Sequence, residues 1–287
     1  MATRDSDSDS DTDAPALSPH ALAALQSFVK EKQEQVTKFA RLAAAAESKF
    51  QDVKDGSDRN ADGMVDGTDG VRIEDFEEDW NMSQFWYDDD TAEAIAREAI
   101  AVAVQDKPLT DGSAKTPGRI GVLCAPSVFV KLQAIVRSSS SNAPSPSIHL
   151  FEHDPRFRIL NSPSQSSFFH LYDYSTPCET QFASNLSLES SFDVLVVDPP
   201  FLSEECWTKV AQAVKWLGTR GDGKEGNGGV NVVACTGAVL TPLLSSLLDL
   251  RPTVFQPHHK GGRLSNEFSC FTNYRSGRAG FAWKDQA

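Results

Sequence analysis

Apolar and polar positions alternate in two different ways between residues 119 and 250. Runs that are apolar on both faces, as in strands covered from both sides, occur at 119–124, 148–152, 168–172, 192–197 and 230–235. Segments with apolar residues at helical spacing occur at 128–137, 203–217 and 240–250. This alternation predicts an α/β fold with a doubly wound, mostly parallel sheet and one continuous core. Two further apolar segments, 253–256 and 268–274, predict an antiparallel closing hairpin, which brings the sheet to about seven strands.

The part of the chain before this sheet divides by composition. Residues 1–16 alternate serine and aspartate, which predicts a disordered acidic tail. Residues 17–50 predict an N-terminal amphipathic helix that begins at Ser18-Pro19. We expect this helix to pack on the domain, and docking on a partner is the alternative. Residues 51–80 predict an acidic flexible insertion, and residues 81–287 the main domain.

One stretch of the insertion has the ligand order of a calcium-binding loop. Residues 58–69 place oxygen-bearing side chains at loop positions 1, 3, 5, 9 and 12, and Gly63 at position 6. No second loop of this kind follows, and Asp-Gly repeats are typical of solvated linkers. We therefore expect a linker without a metal site, with calcium binding as the alternative.

Charge and cysteine content narrow the classes of partner. The 287 residues carry a net charge of −13, which disfavours nucleic acid and other partners held through their phosphates. Five scattered cysteines without a Cys-x-x-Cys pair indicate a reducing compartment and unpaired thiols. No apolar run approaches the roughly 20 residues that cross a bilayer. We therefore expect a cytoplasmic protein with no membrane partner.

The fourth predicted strand ends in Asp198-Pro199-Pro200-Phe201. Proline has no amide hydrogen and a fixed φ, so the ladder stops there and the carbonyls of the turn can face a ligand as acceptors. Ligands of open parallel sheets bind beyond the carboxyl ends of the strands. An acid, fixed carbonyls and an aromatic ring suit an amine whose lone pair must be aimed. An ordinary turn with a surface acid is the alternative.

Two other predicted strands also end in acids, Glu152 and Asp173. An acid after the second strand suits a ribose diol, and one after the third can face an adenine amine; helix caps or exposed turn acids are the alternative. The first turn, Ala125-Pro126-Ser127, lacks a glycine-rich loop, which argues against a dinucleotide. S-adenosylmethionine has no phosphates and escapes that objection. The aromatic run Phe85-Trp86-Tyr87 is a candidate cofactor wall or lid, with simple packing as the alternative.

These residues also resemble known motifs. Asp198-Pro199-Pro200-Phe201 is similar to the motif of amine-directed methyltransferases of the DNA adenine type. The wider set resembles the lysine methyltransferases of translation elongation factor 1-alpha, over residues 17–50 and 80–275. The matching segments are Leu17 to Gln26, Ser83 to Tyr87, Ala125 to Val128, Phe151 to Phe157, Tyr172 to Tyr174, Asp198 to Cys206, Cys235 to Ala238 and Asn266 to Phe268.

The resemblance implies a Rossmann-like class I methyltransferase fold and methyl transfer from S-adenosylmethionine to a lysine of elongation factor 1-alpha. The enzyme would be cytoplasmic, and we expect a monomer. It also implies that Asp198 and the carbonyls of Pro199 and Pro200 orient the amine. Phe201 would stack on the amine's stem, and the proton of the lysine would leave to water before attack.

Three other classes of function are open to the sequence. A DNA or RNA adenine methyltransferase would use the same Asp-Pro-Pro-Phe turn, against which the acidic charge counts. A non-catalytic cofactor-binding subunit would be expected to lack Asp198 or Phe201, and both are present. A calcium-responsive interaction protein rests on residues 58–69 alone.

Overall fold

The computed structural model describes residues 71–104, 118–138, 145–162, 166–219, 229–262 and 267–286, with residues 18, 20–30, 33, 34, 37, 40, 41 and 44. The predicted tail at 1–16 and the calcium-like loop at 58–69 lie outside the described residues. In the part that is described, no helix is long and apolar enough to cross a membrane. All five cysteines lie in that part, and they are unpaired thiols.

Seven strands of the described chain form one sheet, in the order β3-β2-β1-β4-β5-β7-β6. Their bounds are Arg119–Leu123 (β1), Ser147–Glu152 (β2), Ser167–Leu171 (β3), Val194–Val197 (β4), Asn231–Gly237 (β5), Arg251–Pro252 (β6) and Phe268–Thr272 (β7). Strands β1 to β5 are parallel, and β7 runs antiparallel between β5 and β6. The predicted doubly wound, mostly parallel sheet with an antiparallel end is confirmed.

The antiparallel end differs from the predicted hairpin in one strand. The sequence predicts a strand at 253–256, but β6 covers only Arg251–Pro252, beyond which the Thr253 amide still donates to the Cys270 carbonyl of β7 (2.8 Å). Thr253 forms a bridge with Trp283, and the Val254 amide donates to the Ala282 carbonyl (2.8 Å). This segment therefore pairs with the C-terminal residues, a contact that no local pattern reveals.

Helices cover both faces of the sheet. They are Asp89–Val104 (α2), Pro126–Ser138 (α3), Cys178–Gln181 (α4), Glu204–Leu217 (α5) and Thr241–Leu248 (α6). Another helix, residues 20–30 (α1), precedes them along the chain. Helices α2 and α3 pack on one face, and α4, α5 and α6 on the other, which buries the central strands β1 and β4. The Ser203 hydroxyl caps α5 by accepting from the Cys206 amide (3.2 Å). This cap fixes the start of α5 just after the turn that follows β4.

The structure describes two parts of the chain before α2, the end of the acidic insertion and part of α1. Val71, Ile73 and Phe76 are buried against the α2 and α3 face, so the described end of the acidic insertion is packed. Acidic residues surround these apolar residues in the sequence and obscure the apolar pattern that would predict their burial. In contrast, the described residues of α1 leave their apolar side exposed, with Leu25 exposed by 49%. The packing of this helix on the domain stays a prediction.

Candidate active site

A cavity of about 600 Å³ opens at the edge of the sheet where β1, β2, β3 and β4 end. Its volume is in the range of small-molecule sites. Parallel strands place their carboxyl ends on one edge, which brings the acids of separate strands together. Every residue predicted for the site lines this cavity: Phe85, Trp86, Tyr87, Ala125, Pro126, Ser127, Glu152, Asp173, Asp198, Pro199, Pro200 and Phe201.

Asp198 directly follows β4. Its backbone amide donates to the Leu123 carbonyl at the end of β1 (3.0 Å), which holds the turn against the neighbouring strand. Burial raises the pKa of the Asp198 carboxyl to about 7; the Tyr87 hydroxyl opposes this shift, and the charge of Glu152 adds to it. Asp198 can therefore gain or lose a proton near neutral pH.

Glu152 is the last residue of β2 and is almost fully buried. Its Oε1 accepts hydrogen bonds from the amides of His153 (2.9 Å) and Asp154 (3.1 Å). Its Oε2 accepts none from the residues that the structure describes. Burial raises the pKa of Glu152 to about 7, although these two amides favour the ionised form. One carboxylate oxygen thus stays available to a ligand hydroxyl.

Asp173 follows β3 at a less buried position. Its amide donates to the Gln181 side chain on α4 (2.8 Å), and its Oδ1 accepts from the Ser175 amide (2.8 Å). Burial raises the pKa of Asp173, but the hydrogen bonds from Ser175, together with the charges of His153 and Lys209, outweigh it and leave the pKa below its ordinary value. Asp173 is therefore a charged acceptor at neutral pH.

The turn after β1 has the backbone of a glycine turn without a glycine. Cys124 has φ of 57°, in the left-handed region that glycine adopts most readily. Its amide donates to the Phe151 carbonyl at the end of β2 (2.9 Å), and α3 begins two residues later. Cys124 lines the cavity, and the sequence does not reveal this role because cysteine gives no signal for this conformation.

The segment ahead of α2 forms a wall of the cavity. The Trp86 indole donates to the Phe76 carbonyl (2.9 Å), and the Trp86 carbonyl accepts from the Lys260 amide (2.8 Å). Tyr87 forms a bridge with His259, and their ring centroids are 4.7 Å apart. The candidate lid is thus tied down on both sides, and we describe it as a wall.

The Tyr87 hydroxyl is buried beside Asp198 and Cys235. It makes no hydrogen bond of normal geometry with any described residue. Burial raises the pKa of the Tyr87 phenol well above its ordinary value, with the charges of Asp198 and then of Cys235 adding to it. The sequence predicts Tyr87 only as part of the cofactor wall, and no local pattern shows that its hydroxyl lies beside Asp198.

A buried polar network joins this wall to the end of β2. Asp154 Oδ2 accepts from the Gln84 amide group (3.1 Å) and from Arg156 Nε (2.8 Å), and Arg156 also donates to Gln84 Oε1 (3.1 Å). Asp154 in turn donates its amide to Glu152. The network therefore connects the wall to Glu152. His259 and Phe268 also line the cavity, and the sequence did not predict either of them as a site residue because both come from distant parts of the chain.

The lining residues that the structure describes include three acids at strand ends and no lysine or arginine. A phosphate-bearing ligand would meet no positive side chain there, whereas a cationic ligand with a sugar diol suits such a surface. Glu152 Oε2, which accepts no hydrogen bond from a described residue, can accept one from a diol hydroxyl. With the sheet order and the Asp198 turn, these features define a class I methyltransferase.

Comparison with known proteins narrows this class to a family. The family described as probable N6-adenine methyltransferase matches residues 78–276. EEF1A lysine methyltransferase 1 of Mus musculus is 35% identical over 265 residues, and the match covers 92% of this chain and 94% of the mouse protein. The Homo sapiens protein of the same name is 34% identical over 265 residues, with the same coverage of both chains. Protein-lysine N-methyltransferase EFM5 of Saccharomyces cerevisiae is 34% identical over 270 residues, covering 93% of this chain and 94% of its own. The chain belongs to this family of protein-lysine N-methyltransferases.

Proposed function

We propose that the protein is an S-adenosylmethionine-dependent lysine N-methyltransferase whose substrate is translation elongation factor 1-alpha. The observation that carries this proposal is the single cavity in which the Asp198-Pro199-Pro200-Phe201 turn lies with Glu152 and Asp173. A site for an amine and a site for an adenosyl group then share one space, as direct transfer requires. The relatives named for lysine methylation of this factor support the choice of substrate.

The acids of the cavity suit S-adenosylmethionine. When bound, this cofactor supplies a methyl group on a positively charged sulfur, which leaves as a neutral thioether once the methyl has passed to an amine. Glu152 would hold the ribose through Oε2, since Oε1 already accepts two amides. Asp173 would face the adenine amine, and the turn Ala125-Pro126-Ser127 and Phe85 would border the cofactor.

Asp198 has two tasks in this proposal. With the carbonyls of Pro199 and Pro200 it aims the lysine amine, and Phe201 packs on the lysine stem. A free lysine has a pKa of about 10.4, so the amine must lose a proton before it can attack. With its pKa raised to about 7, Asp198 is a better proton acceptor than an ordinary aspartate. We therefore assign Asp198 as the group that accepts the proton of the lysine amine, whereas the sequence led us to expect loss of that proton to water.

Tyr87 acts through Asp198 as a positioning residue. A buried hydroxyl without a partner is unfavourable, and an ionised carboxylate beside it relieves that cost by accepting its hydrogen bond. The backbone contacts of Trp86 and the His259 ring hold the phenol in place. One carboxylate oxygen of Asp198 is thereby fixed, and the other is left to the amine.

Methylation of an adenine amine in nucleic acid is the second candidate. The family description for residues 78–276 favours it, and an Asp-Pro-Pro-Phe turn accepts a planar amine as well. Against it stand the net charge of −13 and the absence of lysine and arginine from the described lining residues.

A labelling assay separates the two candidates. The purified protein is incubated with methyl-labelled S-adenosylmethionine and cell extract, and the products are treated with nuclease or with protease. We expect label that survives nuclease, disappears with protease and migrates with elongation factor 1-alpha. Label that is removed by nuclease would overturn the proposed substrate.

A further inference from the structure

Three exposed apolar side chains stand together beside the cavity. Phe201 and Leu202 follow β4 and are 42% and 36% exposed, and Val239 follows β5 and is 79% exposed. A Cβ placed on Gly237 would lie 3.2 Å from Leu202 and 3.7 Å from Val239, so these two side chains flank the same glycine. We call Phe201, Leu202 and Val239 the apolar rim. Apolar side chains grouped in this way are typical of interaction sites.

The apolar rim is continuous with the proposed active site. Phe201 and Leu202 line the cavity that contains Asp198, and the Phe201 ring packs edge-on against Tyr174, with centroids 5.9 Å apart. A peptide bound on the apolar rim could place a lysine side chain in the cavity. The rim is therefore placed to hold the residues next to a lysine that enters the site.

Negative charge borders the rim. Glu204, in the first turn of α5, is exposed and makes no ion pair with a described residue, whereas Glu205 pairs with Lys209 (2.8 Å). Glu267 is exposed, and its carbonyl accepts from the Ala238 amide (2.8 Å), beside Val239. An acidic border attracts a cationic segment and repels both a second copy of this chain and a nucleic acid.

We propose that the apolar rim docks the lysine-bearing segment of the protein substrate, and that this segment carries an apolar side chain and a second positive side chain near the target lysine. The apolar side chain packs on Val239 and Leu202, and the positive one faces Glu204 or Glu267. This inference rests on the proposed function, because it assumes a lysine in a protein as the methyl acceptor.

Two charge-altering variants test the docking surface. Val239→Asp places a charge in the apolar rim, and Glu204→Lys reverses a charge at its border. The matched control is Leu186→Asp, since Leu186 is also exposed (63%) and lies at the opposite edge of the sheet, where Arg119 of β1 donates to the Ser187 carbonyl. Initial rates are measured with elongation factor 1-alpha at varied concentration, and S-adenosylmethionine binding is measured by calorimetry.

We expect Val239→Asp and Glu204→Lys each to raise KM for the elongation factor about tenfold, with cofactor affinity and kcat near those of the unaltered protein. The effect of Glu204→Lys should shrink at high salt, because exposed charges are screened. Val239→Asp and Glu204→Lys variants whose KM matches that of Leu186→Asp would overturn the docking surface while leaving the proposed function intact. An unaltered protein that binds cofactor but methylates no protein would overturn the proposed function, and this inference with it.

Discussion

The two ends of the cavity hold acids whose ionisation is shifted in opposite directions. At the buried end, burial raises the pKa of Glu152 and of Asp198 to about 7. At the open end, hydrogen bonds from Ser175 and the charges of His153 and Lys209 together outweigh burial and keep the pKa of Asp173 below its ordinary value. Three strand ends of the same chemical type thus give two kinds of group: a permanently charged acceptor, and acids that exchange protons near neutral pH.

The largest effect is expected from removing the proton acceptor at the buried end. Asp198→Asn keeps the size of the side chain but cannot take up a proton at neutral pH, so kcat/KM for elongation factor 1-alpha should fall about 1000-fold. Cofactor affinity, measured by calorimetry, should change less than about threefold, because Glu152 and Asp173 are assigned to that task. Asp285→Asn, at an exposed acid outside the cavity lining, is the control. Full activity of Asp198→Asn would remove Asp198 from the mechanism.

Substitution of the two acids assigned to the cofactor, Glu152 and Asp173, should weaken cofactor binding to different extents. Glu152→Gln should weaken S-adenosylmethionine binding about 30-fold, since hydrogen bonds to a buried charged group are among the stronger ones. Asp173→Asn should weaken it only about threefold, because Asp173 is less buried and water can replace its contact. Calorimetry at pH 8, where both acids are ionised, gives the two affinities. The reverse order would show that the open end dominates cofactor binding.

A smaller effect, visible in the pH profile, is expected from Tyr87→Phe. The Tyr87 hydroxyl lowers the pKa of Asp198, so its loss should raise that pKa and reduce the ionised fraction at any given pH. The acid limb of the kcat profile should move to higher pH, with activity about threefold lower at pH 7 and restored above pH 8. The ring and its contact with His259 remain.

A double-mutant cycle separates this positioning role from a structural one. In the Asp198→Asn background, Tyr87→Phe should have no further effect on the pH profile, because the group that it tunes is gone. Cys235→Ala, which alters the other polar neighbour of the hydroxyl, should leave the acid limb in place. A uniform loss of activity at every pH in Tyr87→Phe would contradict the role assigned to the hydroxyl.

The strand ends could be predicted because local pattern decides them. Apolar runs stop at Glu152, Asp173 and Asp198, and the parallel arrangement that brings such ends to one edge follows from the alternation of strands and helices. The lack of a glycine-rich loop was also visible in the sequence. The left-handed conformation of Cys124, which replaces such a loop, could not be predicted, because a non-glycine residue keeps that conformation only through its surroundings.

Contacts between distant parts of the chain account for most of what the sequence missed. The Tyr87 hydroxyl lies beside Asp198 on a segment that pairs with the distant His259, and the raised pKa of Asp198 depends on its burial and on the charge of Glu152. The pairing of Thr253 with Trp283 is of the same kind. Packing of Val71, Ile73 and Phe76 was hidden by the acids around them.

The most direct test of the proposed function is mass spectrometry of purified elongation factor 1-alpha after incubation with this protein and S-adenosylmethionine. We predict that a lysine gains one or more methyl groups with the unaltered protein and none with Asp198→Asn at equal concentration. Thermal denaturation of both proteins confirms that the variant is folded. An elongation factor that stays unmethylated, while nucleic acid in the same reaction gains methyl groups on adenine, would contradict the proposed function.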